Sequence, residues 1–269
     1  MNDMEKKIIP IGEWASTDAP LSARPPVLTY YKAESKKTDG TVLIFPGGGY
    51  YKLSTHEGEG YAEFFGELGM DTFVLDYRIA PDRFPAPLVD ARYAIKYIRK
   101  NASALGIDRN KVAVMGSSAG GHLAALVCTY RGSCGEGDME LCDYLPNAQI
   151  LCYPVTDRRS HDGSYNSLLG DEVETLEKSV TPTLIADENT PPAFIWHTSS
   201  DPAVNIEGTY SYLQRLHQLG VACEMHAFPV GDHGLGLAND GGRNLPYVAR
   251  WSGLLKEWLI LNGYLPNSK

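Results

Sequence analysis

The chain has 269 residues, 43% hydrophobic and 21% charged, with a net charge of −9; that is enough apolar material for one large α/β core, and the wrong sign for nucleic acid or an anionic membrane. Five cysteines, an odd number with no C-x-x-C pair, indicate neither a disulfide framework nor a zinc site, and Cys128 and Cys152 lie in apolar runs as small core residues. The N-terminal MNDMEKKIIP lacks the apolar stretch of a signal peptide and no later run reaches membrane-spanning length, so a cytoplasmic protein is expected.

Residues 1–37 mix the short apolar runs 8–11 and 27–31 with Pro10, Pro20, Pro25 and Pro26, a pattern of edge strands and loops. The run TVLIF at 41–45 is continuously apolar, as in a strand covered on both faces of a parallel sheet. It ends in Pro46, Gly47, Gly48, Gly49 and Tyr50. Glycines at that place free backbone N–H groups to face a ligand, as an oxyanion site needs; a loose βα turn is the alternative. Tyr61, Phe64, Phe65 and Leu68 share a helical face over 57–68, and a second buried strand follows at 72–75. Leu88, Ala91, Ile95 and Ile98 mark the core face of the next helix, with Arg92, Lys96, Arg99 and Lys100 expected in solvent.

Residues 111–130 read KVAVMGSSAGGHLAALVCTY. A β-type run at 112–115 breaks at Gly116, and apolar spacing of helical period resumes at Leu123. The break is G-x-S-x-G in a strand-turn-helix setting, which makes Ser118 a nucleophile candidate; the flanking glycines relieve crowding around a serine held on so tight a turn. Ser117 would need glycine at Met115 and Ala119, so it is not an equal rival. Further strands are expected at 150–153, 193–196 and 223–228, with helices over 205–219 and from Val248 to Trp258. This alternation implies one α/β domain over 1–269, with a mostly parallel sheet and helices on both faces. Residues 157–192, polar and broken by glycine and proline, are too long for an ordinary connection and are expected to form a small lid or substrate loop.

A serine nucleophile needs a base and an orienting acid, which in this kind of sheet follow it in the order acid, then histidine. Asp201 lies just past the strand at 193–196, and His233, flanked by Gly231 and Gly234, lies just past the strand at 223–228. Asp157 is the rival acid. Asp232 adjoins His233 but cannot readily reach round to the Nδ1 of its neighbour's ring. His56, His122, His161, His197, His217 and His226 are read as ordinary surface or core histidines.

These motifs, together with Asp76-Tyr77-Arg78 and Ala80-Pro81, resemble the α/β-hydrolase serine esterases of the acetyl esterase and acetyl-xylan (carbohydrate) esterase kind, related to the hormone-sensitive-lipase-like carboxylesterases. The resemblance implies an α/β-hydrolase fold with a small lid insertion, Ser118, Asp201 and His233 as a triad, and the N–H groups of Gly48, Gly49 and Ala119 as an oxyanion hole. It implies no metal or organic cofactor. Pro46 stands where lipase-type members carry a histidine that buttresses the glycine loop, and their long N-terminal cap is missing, which points to the carbohydrate-esterase branch. Tyr50 and Tyr51 offer flat faces and hydroxyls suited to a sugar ring, or ordinary packing. The expectation is therefore deacetylation of sugars or xylo-oligosaccharides, with no nucleic acid or membrane partner and homo-oligomerisation left open. A prolyl-oligopeptidase-type peptidase, whose propeller domain 269 residues cannot hold, and a silent binding protein on the same scaffold are the other readings.

Overall fold

A computed structural model describes residues 5–10, 25–134 and 140–267. Eight strands form one sheet: β1 (Glu5–Ile9), β2 (Val27–Lys32), β3 (Thr41–Phe45), β4 (Thr72–Asp76), β5 (Val112–Ser117), β6 (Ala148–Cys152), β7 (Ala193–Thr198) and β8 (Cys223–Phe228). Their spatial order is β1-β2-β4-β3-β5-β6-β7-β8. From β4 to β8 along this order every neighbouring pair is parallel, and β2 runs antiparallel to both its neighbours, β1 and β4. The run at 27–31 is thus no edge strand: β2 is paired on both sides, and β1 and β8 take the two edges.

Strand period two sends alternate residues to opposite faces, and the sequence is apolar at both. Leu43, Phe45, Val114, Leu151 and Ile195 pack beneath α2 (Ala86–Lys100), α3 (Ala119–Thr129) and α5 (Ile206–Gln218) through Leu88, Ile95, Leu126 and Leu216. Val42, Ile44, Met115, Ile150 and Trp196 pack on the other side against α1 (Glu59–Glu67) and α6 (Trp251–Leu261), where Trp196 and Trp251 stack with ring centroids 4.9 Å apart. α4 (Asp162–Leu169) opens the 157–192 segment, which continues as single helical turns up to Pro182–Ile185. Arg158 ties this segment together by pairing with Asp162, Glu174 and Glu177.

Two cations of α2 depart from expectation. Arg92 is buried, not solvated: its guanidinium donates to the carbonyls of Gly132 and Tyr130 and lies 4.1 Å from the Tyr144 ring centroid. Arg99 donates to the carbonyls of Cys142 and Leu145 and to Asn147 Oδ1. The planar fork of arginine satisfies several carbonyls at once while its stem packs, so helical spacing of charge alone does not show that such a face is wet.

Candidate active site

The parallel strands end on one edge of the sheet, and four of those ends carry the residues of interest. β5 runs straight into Ser118, whose φ of 55° and ψ of −119° place it in a backbone conformation L-residues rarely adopt. The turn is tight enough to demand glycine on both sides. A Cβ on Gly116 would lie 2.1 Å from the Gly120 carbonyl oxygen, and one on Gly120 would lie 2.1 Å from that of Phe45. Ser118 also stands at the N-terminus of the 11-residue α3, where unpaired N–H groups and the helix dipole favour negative charge.

His233 Nε2 is 2.8 Å from Ser118 Oγ, and His233 Nδ1 is 2.7 Å from Asp201 Oδ2. A carboxylate can only accept, so Nδ1 carries the proton and Nε2 presents its lone pair to the serine hydroxyl. Asp201 Oδ1 accepts from the N–H groups of Ala203 and Val204, each at 2.9 Å. Burial works to raise the Asp201 carboxyl, but donation by His197, His233 and the Val204 amide outweighs it and holds the group well below the ordinary carboxylate range. Asp201 is therefore charged at any working pH.

His197 is fully buried beside this acid, a placement that strand position alone could not reveal. Its Nε2 lies 3.2 Å from both Asp201 Oδ2 and the Val204 carbonyl oxygen, two acceptors, so Nε2 is the protonated nitrogen and Nδ1 accepts from the Thr209 hydroxyl at 2.9 Å. Asp157 has no part in this chain. It caps a turn, Oδ1 accepting from the Ser160 N–H at 2.8 Å and Oδ2 from Arg159 at 3.0 Å. Asp232 is exposed. His161 caps α4 through its Nδ1, and His226 pairs with Glu224.

The glycine loop after β3 faces Ser118. Gly48 and Gly49 have φ of 131° and 65°, and a Cβ on Gly48 would fall 2.2 Å from the Lys52 carbonyl oxygen. Among the described residues no acceptor takes the N–H of Gly48, Gly49 or Ala119. The two tyrosines of the loop part company. Tyr51 is 60% exposed, whereas Tyr50 is 1% exposed, its hydroxyl spent on His122 Nδ1 at 2.7 Å; the flat face expected for a sugar is therefore inside the core at Tyr50 and open only at Tyr51. Tyr165 is likewise fully buried.

His122 thus joins three segments: Tyr50 of the glycine loop donates to its Nδ1, and its Nε2 donates to the Val180 carbonyl of the insertion at 2.9 Å. Burial lowers its pKa to about 4 from the ordinary 6.5. The unfolded chain then binds this proton below about pH 6.5, but the folded chain only near pH 4, so stability falls across that window as pH drops, by about 3 kcal/mol in all. We expect His122→Gln, which can keep one donor and one acceptor, to reduce stability at pH 7 but to flatten the pH 7 to pH 4.5 difference in unfolding free energy. Urea titrations of both proteins at the two pH values test this; parallel losses would show that His122 is not the group responsible.

The BD-FAE family profile matches residues 28–216. The chain is 36% identical over 244 residues to endo-1,4-beta-xylanase B of Butyrivibrio fibrisolvens, covering 85% of this chain and 36% of that protein. It is 32% identical over 204 residues to an acetylxylan esterase of Xylanibacter ruminicola, covering 72% of this chain and 41% of that one. The chain thus spans well under half the length of either relative. Among solved structures, an acetyl ester-xyloside bifunctional hydrolase from Caldicellulosiruptor lactoaceticus superposes with a TM-score of 0.86 at 36% identity, covering 96% of this chain and 97% of the other. With the family profile spanning most of the sheet and a solved relative matching it end to end, the chain belongs to the BD-FAE family and has the α/β-hydrolase fold.

Proposed function

We propose that this protein is a serine ester hydrolase that removes short acyl groups, acetyl foremost, from sugars or xylo-oligosaccharides. The observation that carries the reading is the unbroken hydrogen-bond chain from Ser118 Oγ through the His233 ring to Asp201, at 2.8 and 2.7 Å. In this mechanism His233 Nε2 takes the Ser118 proton as Oγ attacks the ester carbonyl. Asp201 holds the ring tautomer and stabilises the imidazolium, and the N–H groups of Gly48, Gly49 and Ala119 bind the oxyanion. The imidazolium then protonates the leaving alcohol, and water repeats the sequence on the acyl-enzyme. The sugar side of the reading is supported by the relatives, an acetylxylan esterase and an acetyl ester-xyloside hydrolase. Tyr51 is the residue of the loop that we assign to the sugar, because its ring is open to solvent. The buried Cys128 and Cys152 are free thiols, which supports a reducing, cytoplasmic setting, and no helix among the described residues is long and apolar enough to cross a membrane.

Acyl-chain preference tests this reading. A groove for fatty chains would favour each added methylene by about 0.8 kcal/mol, close to fourfold, so specificity would climb with length. Here the aromatic rings near the glycine loop, Tyr50 and Tyr165, are packed into the core, and the insertion carries an exposed charge network at Arg158. On p-nitrophenyl esters kcat/KM is expected to peak at acetate or propionate and to fall by hexanoate, and acetylated xylo-oligosaccharides should be deacetylated. A maximum at octanoate would sink the acetyl-esterase reading while leaving the serine chemistry standing.

A further inference from the structure

Behind the glycine loop lies an acid that the hydrolytic steps do not use. Glu57 stands in the short turn Thr55–Glu57 ahead of α1 and is turned inward, 2% exposed. Its Oε2 accepts from the Gly47 N–H at 2.9 Å, and its Oε1 accepts from the Tyr153 hydroxyl at 2.6 Å. Tyr153 in turn accepts from the Gly236 N–H at 2.9 Å, and its ring meets that of His233 edge to face at 5.1 Å. Neighbouring His56 donates its Nε2–H to the Gly234 carbonyl at 2.9 Å. The two sides of this arrangement are Gly47, immediately before the oxyanion glycines, and 234–236, immediately after His233.

Three features set the arrangement apart from ordinary turn packing. First, a buried carboxylate is costly unless compensated, yet among the described residues no lysine or arginine lies within ion-pair distance of Glu57; His56 Nε2 is 3.9 Å from Oε1 but is committed to Gly234. The charge is met instead by an amide and a phenol, and hydrogen bonds to an ionised acceptor are short and strong ones. Second, the fit at Gly47 is close: a Cβ there would fall 2.5 Å from Glu57 Oε2 and 2.7 Å from the Ser117 carbonyl oxygen. Third, Tyr153 holds a φ of 36°, a strained backbone for a bulky residue, and it is the residue that delivers its hydroxyl between Glu57 and Gly236.

We propose that Glu57 is a positioning residue for ester hydrolysis, fixing the oxyanion loop through Gly47 and, by way of Tyr153, the loop that bears His233. It touches neither substrate nor the reacting atoms. It sets the distance between the donors that receive the oxyanion and the imidazole that moves the proton, which is the spacing that differs between a bound ester and its tetrahedral intermediate. This inference rests on the serine-hydrolase reading. Glutamine at this position can accept from one donor only and turns its NH2 toward the other, whereas Tyr153→Phe removes a single hydroxyl and leaves the ring in place.

The test uses the full chain with p-nitrophenyl acetate, counting active sites by the acylation burst so that misfolded protein is excluded. Glu57→Gln is expected to lower kcat per titrated site by about ten- to a hundredfold with KM within about threefold, and to weaken a trifluoromethyl ketone in step with kcat/KM. Tyr153→Phe is expected to lose somewhat less, about three- to tenfold, and the double variant to lose no more than Glu57→Gln, since both act through one chain of hydrogen bonds. A kcat per titrated site within twofold of the unsubstituted protein in either variant would overturn the proposal, even if the melting temperature fell. Should Glu57→Gln fail to fold, Tyr153→Phe decides alone. An unsubstituted protein without esterase activity would instead defeat the hydrolase reading itself.

Discussion

Ser118→Ala and His233→Ala are each expected to lose about a millionfold in kcat while the chain stays folded, and the double variant is expected to lose little more than either. The equality follows from the geometry. Ser118 Oγ can attack only if its proton has somewhere to go, and the acceptor on hand is His233 Nε2 at 2.8 Å. Conversely, the imidazole without the serine has no atom to activate other than water. Stability should change little: Ser118→Ala removes one hydroxyl, and His233, whose side chain is 22% exposed, fills no sealed part of the core. The strain at Ser118, with φ of 55°, remains in the alanine variant and is held by the crowded glycines on either side. If Ser118→Ala kept about a tenth of the activity, Ser118 would not be the nucleophile. Labelling by a fluorophosphonate is the companion measurement: it should modify the unsubstituted protein at Ser118, and a silent binding protein on this scaffold would not react.

Much of this arrangement is legible in the sequence because strand ends are. Apolar runs mark β3, β5 and β7, and a mixed run between Gly220 and Pro229 marks β8; residues a few places past the end of each run sit at the carboxyl edge of a parallel sheet. Ser118, Asp201 and His233 are reached in this way from chain order alone. Groups whose role depends on which way a side chain turns are not. His197 alternates with Trp196 along β7, and only the packing of the 203–209 segment sends it to Asp201. Glu57 has the sequence signature of a first helical turn, yet α1 begins two residues later and leaves the acid free to point inward. Tyr50 and Tyr51 are adjacent and identical in chemistry, and only the positive φ of Tyr50 tells which goes into the core. Arg92 and Arg99 share helical spacing with Lys96 and Lys100 and nevertheless find carbonyls to bind.

Asp201→Asn should cost about ten-thousandfold in kcat, by analogy with the same change in serine proteases, and Asp157→Asn less than about threefold. The surroundings of Asp201 make the first result a matter of hydrogen-bond direction. Its Oδ1 faces two donors, the N–H groups of Ala203 and Val204, and therefore has to remain an oxygen in the amide. The NH2 is then forced into the place of Oδ2, 2.7 Å from His233 Nδ1 and 3.2 Å from His197 Nε2. An NH2 there can only donate, so His233 Nδ1 must become the acceptor and the ring proton moves to Nε2, pointing at Ser118. The imidazole in that tautomer cannot take the serine proton. The opposite amide orientation keeps the His233 tautomer but sets an NH2 against two backbone N–H groups, an arrangement of three donors with no acceptor among them. His197 sharpens the trap, since its own Nε2–H is left facing a donor and it too must change tautomer or turn toward the Val204 carbonyl alone. Asp157→Asn meets no such conflict: Oδ1 continues to accept from the Ser160 N–H, and the Arg159 partner at Oδ2 is largely in solvent. In kcat on p-nitrophenyl acetate the ranking is the test. Asp157→Asn falling further than Asp201→Asn would move the orienting acid to Asp157 and leave the contact between Asp201 and His233 without a catalytic role.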